Sequence, residues 1–229
     1  MPALTNHTRL GAVAWTLTIL YFPIQLVVAL AWPEPYSLTA NTISDLGVTS
    51  CGQSNPFPGR EIFVCSPLHP LMNIGFVFVG VTTAVGAILT RRAWPRSRLT
   101  TAALIGVNLA GAGGVLVGLA PSDTALHLHS LGALLQLPAV MAPIFLGLAL
   151  RHERRRLAAF SLVVGAVGAV GTVLFVLRLP ALWFGILERL ALEPFTLWTF
   201  ALGITLLRPP AATRVRSIED TGGELRPLA

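Results

Sequence analysis

The chain has 229 residues, 54% of them hydrophobic and only 11% charged, against about 25% charged in an ordinary soluble domain. With a mean hydropathy of +0.72, too few polar side chains exist to cover a globule of this size, which excludes a water-soluble enzyme and makes the bilayer the solvent. All 16 basic residues are arginine, and the formal charge is +6. A net charge of this sign would fit nucleic acid in a soluble protein, but no aromatic-basic groove or DNA-binding motif accompanies it.

Six nearly charge-free stretches follow one another: Leu10 to Ala31, Pro67 to Thr90, Leu99 to Ala120, Leu126 to Leu150, Leu157 to Leu177 and Trp183 to Leu207. Each exceeds the roughly 20 residues a helix needs to cross the hydrocarbon. Without strand-like alternation they must be helices, because unpaired backbone groups are costly in lipid. The expected fold is therefore all-α, a six-transmembrane-helix bundle forming one domain over residues 1–207. A signal-peptide reading of the first run, with Ala29-Leu30-Ala31 as its cleavage site, fails on length, since signal cores span about 7–15 residues.

Alternation of the spans sorts the arginines. Arg9, the groups 91–98 and 151–156, and Arg208, Arg214, Arg216 and Arg226 share one side, whereas Arg60 and Arg178 take the other and Arg189 lies within the last span. The positive-inside bias places both termini in the cytoplasm of a plasma-membrane protein. Residues 208–229, with Pro209-Pro210 and Gly222-Gly223, read as a mobile cytoplasmic tail.

The long connection from Trp32 to Ser66 falls on the extracytoplasmic side and holds both cysteines, Cys51 and Cys65. An oxidising compartment and a shared loop favour a disulfide, worth about 3 kcal/mol for a loop of this length, over two free thiols. The turn formers between them, Gly52 to Gly59, predict a compact cap. Ahead of it runs Asn41-Thr42-Ile43-Ser44-Asp45-Leu46-Gly47. Together with Leu116-Val117-Gly118-Leu119, His129-Ser130-Leu131-Gly132-Ala133 and Gly185-Ile186-Leu187-Glu188-Arg189-Leu190, this block resembles the bacterial domain-of-unknown-function family 998 (DUF998), over nearly the whole chain and in order. The resemblance implies a six-helix multipass membrane fold and brings no established activity.

Ionisable groups inside a membrane need a partner or a role. Here they concentrate in the outer half: His69 and Asn73 on one face of the second span, Asp123, His127 and His129 around the start of the fourth, and Glu188, Arg189 and Glu193 in the sixth. His129 continues into a polar, small face through Gly132, Ala133 and Gln136. His127 lies about 200° round the helix from His129, so the pair does not form a metal site on a regular helix. Arg189 and Glu193 are spaced i,i+4 for pairing, which leaves Glu188 to meet His129 or Asn73. Ser44 and Asp45 serve either as a local helix cap or as site residues, and the glycine sets 111–118 and 165–171 read as close-packing faces.

An outward-facing pocket follows, with His69, Asn73, His129, Gln136, Glu188, Arg189 and Glu193 as candidate ligand contacts and Arg189 as the anion contact. The expected occupant is an amphiphile or lipid headgroup, with membrane lipids as partners, no nucleic acid and no protein partner identified. The enzymatic alternative is a membrane-embedded lipid hydrolase or other lipid-modifying enzyme, with Asp45, Ser44 and Glu188 as catalytic candidates. Zinc on Asp45, His69 and His129 is the metal version of it, although the sequence requires no cofactor. A third alternative is a structural subunit that docks another membrane protein through its small-residue faces.

Overall fold

The computed structural model describes residues 5–57, 60–179 and 183–208. Among the described residues six helices are long and apolar enough to cross a membrane: α1 (Asn6–Leu30), α2 (His69–Thr90), α3 (Arg98–Leu119), α4 (Leu126–Leu150), α5 (Arg155–Leu177) and α6 (Phe184–Leu207). The tail expected over 208–229 lies, but for Arg208, outside the described residues. Local capping fixes two starts: Thr5 Oγ1 accepts from Thr8 N at 3.3 Å, and Ser97 Oγ accepts from Thr100 N at 3.1 Å, each satisfying an orphan amide. Thr5 carries α1 back to Asn6, ahead of the hydropathy boundary at Leu10. α1 tightens into a 3-10 turn at Thr18–Leu20, just ahead of Pro23, which has no N–H to give to Ile19.

The helices form a ring in chain order, each packed on the next, with α6 returning to α1. In lipid there is little hydrophobic drive between helices, so close backbone approach and interhelical hydrogen bonds must hold them. A glycine stands at every joint of this ring. A Cβ built on Gly11 would meet Leu89 Cβ at 2.7 Å, on Gly80 the Gly111 carbonyl at 2.5 Å, and on Gly132 the Gly113 carbonyl at 2.9 Å. Gly147 faces the Ala158 carbonyl at 3.0 Å, Gly171 the Ala191 amide at 2.7 Å and Gly203 the Ala12 carbonyl at 2.6 Å. No side chain fits at most of these points without moving backbone.

Two cores divide the bundle along its axis. At the end that carries Thr5 and Arg208, Trp15, Ala87, Val107, Leu146, Leu150, Trp198 and Leu202 pack together. The indole nitrogens there are satisfied, Trp15 Nε1 donating to the Thr83 carbonyl at 3.0 Å and Trp198 Nε1 to Ser161 Oγ at 2.9 Å. At the opposite end, called the cap end below, Tyr21, Val28, Trp32, Ile43, Leu46, Met72, Phe76 and Val117 join the long connection to the helices.

That connection contains a 3-10 turn, Ser44–Gly47, and a β-hairpin of β1 (Gly52–Phe57) and β2 (Arg60–Val64), antiparallel with Gly52 opposite Val64. The Cys51–Cys65 disulfide closes the hairpin at its base. Thr42 and Asp45 cap the 3-10 turn reciprocally: Thr42 N donates to Asp45 Oδ2 at 2.7 Å and Asp45 N to Thr42 Oγ1 at 3.1 Å.

The glycine joints give a paired prediction. Gly80→Val drives a branched side chain into the α3 backbone and is expected to destabilise the detergent-solubilised protein by about 1–3 kcal/mol or more. Gly168→Ala adds a methyl that meets the Ala191 carbonyl at an ordinary 3.7 Å and is expected to be neutral or slightly stabilising. Thermal unfolding of the two variants side by side checks this, and equal loss in both would refute the backbone-contact account.

Candidate functional site

All six helices and the 3-10 turn line a cavity of about 550 Å³, α1 contributing only Tyr21. Its cap end is polar, with Thr42, Ser44, Asp45, Ser122, His129, Ser130, Arg178 and Glu188. Its depth is mainly apolar, with Phe76, Val79, Val140 and Phe195 beside the hydroxyls of Thr83 and Thr196. Beyond these lie the packed indoles of Trp15 and Trp198, which fill the ring below.

The polar end is a chain of contacts centred on Ser44. Its hydroxyl lies 3.0 Å from Glu188 Oε1 and 3.1 Å from His129 Nε2. Glu188 is buried, and its other oxygen accepts from the backbone N–H of Ile43. His129 Nδ1 sits 2.9 Å from the Ala120 carbonyl. A carbonyl only accepts, so Nδ1 carries the hydrogen and Nε2 of the neutral ring is an acceptor. Ser44 has a single hydrogen. If it goes to Glu188, His129 needs a second proton to keep its contact. If it goes to His129, Glu188 must carry the proton. Fully bonded, the chain therefore holds one exchangeable proton shared between His129 and Glu188 across Ser44. Of the neighbouring charged groups, Asp45 and Arg189 act on Glu188, and Asp45 and Asp123 act on His129.

Arg189 is placed otherwise than its residue type suggests. Its Nη1 donates to the carbonyls of Asn41 and Gly185, each at 3.0 Å, and of Leu38 at 3.3 Å, while Nη2 donates to the Tyr36 hydroxyl. The guanidinium also lies over the Tyr36 ring, 5.4 Å from its centroid, and its Nε is 3.7 Å from Glu193. The donors of Arg189 are thus committed to the connecting loop instead of facing an anion in the cavity. Burial outweighs the guanidinium and raises the Tyr36 phenol well above its usual range, so it remains a donor to the Thr42 carbonyl at 2.8 Å.

The other candidates divide. Gln136 lines the cavity; His69, Asn73, Arg189 and Glu193 do not. Asn73 Nδ2 donates to the Gly47 carbonyl at 3.0 Å, holding the 3-10 turn, and Glu193 accepts from Gln25 at 3.4 Å. Asp45 lines the cavity as well as capping its turn. Because His69 stands at the first turn of α2, off the cavity, and His129 has both ring nitrogens engaged, Asp45, His69 and His129 do not converge. Among the described residues no group of three His, Cys, Asp or Glu side chains is placed to hold a metal ion.

Sequence reasoning missed two features. Thr49 and Ser50 each give Asp123 Oδ2 both an amide and a hydroxyl hydrogen bond, at 2.8–3.0 Å, tying the loop to the α3–α4 turn. Thr172, on the cavity wall, has a buried hydroxyl without a hydrogen-bond partner. No periodicity marks a contact between Thr49 and Asp123, although Ser, Thr and Asp in loops are the residue types that make such turns.

Six apolar helices in a ring around a capped, two-ended cavity define a multipass membrane protein with an internal chamber. Residues 16–205 match the family described as protein of unknown function (DUF998), and the chain belongs to that family. No curated protein and no solved structure gives a match.

The Asp123 anchor predicts a pH response. Partial burial raises this carboxyl, but the hydrogen bonds from Thr49 and Ser50 outweigh it and hold it below its ordinary value of 3.8. A carboxyl lowered in the folded state stabilises above its unfolded value and loses that contribution as pH falls through the folded one. Hydrogen exchange at the Thr49 and Ser50 amides is expected to lose protection as pH drops below 3.8. In Asp123→Asn protection is expected to be weaker throughout and no longer to follow that titration; unchanged protection in Asp123→Asn would refute the anchor.

Proposed function

We propose that the protein is a binding protein of the plasma membrane that holds one amphiphile, its polar head at the Glu188–Ser44–His129 end of the cavity and its apolar body in the depth. The carrying observation is the cavity itself, polar at one end and mainly apolar at the other, a division that matches one molecule with two chemically different ends. The charge bias of the connections and the Cys51–Cys65 disulfide support a cytoplasmic side for the termini and an outward side for the cap. At about 550 Å³ the chamber falls within the ordinary range for small-molecule sites.

One observation favours hydrolysis instead: Ser44 Oγ stands 3.1 Å from His129 Nε2, the base position of a nucleophilic dyad. Two others weigh against it. The Glu188 carboxylate, 3.0 Å from Oγ, opposes the negative charge that develops in acyl transfer. The neighbouring Ile43 N–H, which would otherwise serve as an oxyanion donor, is taken by Glu188.

Native mass spectrometry of the protein in mild detergent, with extraction and identification of retained molecules, tests the proposal. About one amphiphile per chain is expected for the wild type. About tenfold less is expected for Glu188→Ala, the loss of one charge-assisted contact, and none for Val140→Phe, which fills the wall. Equal, unsaturable lipid content in all three would overturn binding. Labelling of Ser44 by a fluorophosphonate probe would favour hydrolysis.

A further inference from the structure

We infer that the chamber is loaded sideways from the membrane, through a gap between the cap-end halves of α4 and α5, by an acylated lipid. The inference rests on the binding reading above and deepens it.

The gap follows from how α5 leans. Near the α4–α5 connection the two helices touch tightly, with Gly147 against the Ala158 carbonyl and Gly165 against Ile144. One turn further, a Cβ on Gly168 would reach α4 only at Val140 Cγ1, 4.0 Å away, and at Gly171 the close neighbours are Leu190 and Ala191 of α6. α5 thus leaves α4 for α6 as it rises toward the cap. At that level Leu134 and Leu137 of α4 and Val176 of α5 line the cavity, yet they are 60%, 42% and 62% exposed. A residue that is both wall and outer surface marks a break in the wall. Leu134 and Leu137 lie 8 and 11 residues beyond Leu126, about 12–17 Å along the helix at 1.5 Å per residue. The break therefore opens onto hydrocarbon instead of water. Pro138 sits within it and has no N–H to return to the Leu134 carbonyl, which eases α4 outward here.

The acyl class of the lipid follows from what the cavity wall offers. The polar end carries both signs of charge, the carboxylates of Glu188 and Asp45 and the guanidinium of Arg178, together with the hydroxyls of Ser44, Ser122 and Ser130. The guanidinium of Arg189, the cation nearest in sequence, is held by loop carbonyls and Tyr36. Such an end offers both donors and acceptors to a polar headgroup. On the wall the Thr172 hydroxyl is buried and has no hydrogen-bond partner among the described residues. A buried donor in this state calls for an acceptor, and the ester or amide carbonyl of an acyl chain supplies it below the headgroup.

Exchange of labelled lipids into wild-type protein in nanodiscs, followed by native mass spectrometry, tests class and route together. A diacyl phosphatidylcholine is expected to be retained at least about tenfold over its dialkyl ether analogue, which has no acyl carbonyl. Diazirine-tailed phosphatidylethanolamine is expected to cross-link within residues 130–140 and 172–178. Leu137→Trp with Val176→Trp is expected to slow exchange at least tenfold while leaving the thermal unfolding temperature unchanged. Equal retention of the ester and the ether lipid overturns the acyl class. Cross-links confined to residues outside the gap overturn the route, as does unslowed exchange in the folded double variant. If no form retains any amphiphile, the binding reading fails first.

Discussion

The cap depends on a pair of adjacent, oppositely charged residues in α6. A loop that enters a bundle without a regular ladder leaves backbone donors and acceptors exposed to an apolar medium, at several kcal/mol each if unmet. Glu188 takes the Ile43 N–H and the Ser44 hydroxyl, while Arg189 gives hydrogens to the Leu38 and Asn41 carbonyls and to Tyr36. One turn earlier Gly185 donates its own N–H to the Thr39 carbonyl at 2.9 Å. A side chain there would strike the Asn41 carbonyl, so the helix surface must be bare for the loop to settle. Two charges that would each be costly alone are thus matched by backbone groups of opposite polarity.

This clamp also builds the cavity's chemistry. Ser44 faces His129 and Glu188 because Ile43 is fixed on Glu188 and because Thr42 and Asp45 hold the following turn. Asn73 and Ser66 secure the far side of the turn through the carbonyls of Gly47 and Leu46. The disulfide and the Asp123 anchor hold the hairpin that follows. Structure and site share their parts here. Removing Glu188 would loosen the loop and alter the cavity at once, so retention and stability have to be read together in any variant.

The spans were legible because crossing a membrane demands long apolar runs, and hydropathy records those directly. The two cysteines declared their bridge by compartment and shared loop. The site was legible only in outline. Glu188 and His129 could be assigned to the same end, but not their connection through Ser44, since the path of the Tyr36–Gly47 loop has no periodicity to read. Arg189 and Glu193 meet, as i,i+4 spacing on a helix allows, at 3.7 Å. The stronger partners of Arg189 are carbonyls, which every residue possesses and no sequence distinguishes. His69 shares a helical face with Asn73, yet only Asn73 reaches the loop, because the contact is set by where the 3-10 turn lies and not by the helix.

The ring's two ends differ in what fills them, and this limits what the chamber can do. Six glycine joints bring the helices close enough for a central plug of Trp15, Trp198, Leu146 and Leu202, each at most 1% exposed. Toward the cap the same ring holds smaller wall residues such as Gly80, Ala110, Gly114 and Ala133, and the space they leave is the cavity. A molecule that follows the axis from the cap therefore meets large, interlocked side chains whose removal would cost several kcal/mol apiece. Continuous passage would require dismantling the core that holds the terminal half together. On the binding reading proposed above, a molecule at the polar end therefore leaves by the way it came.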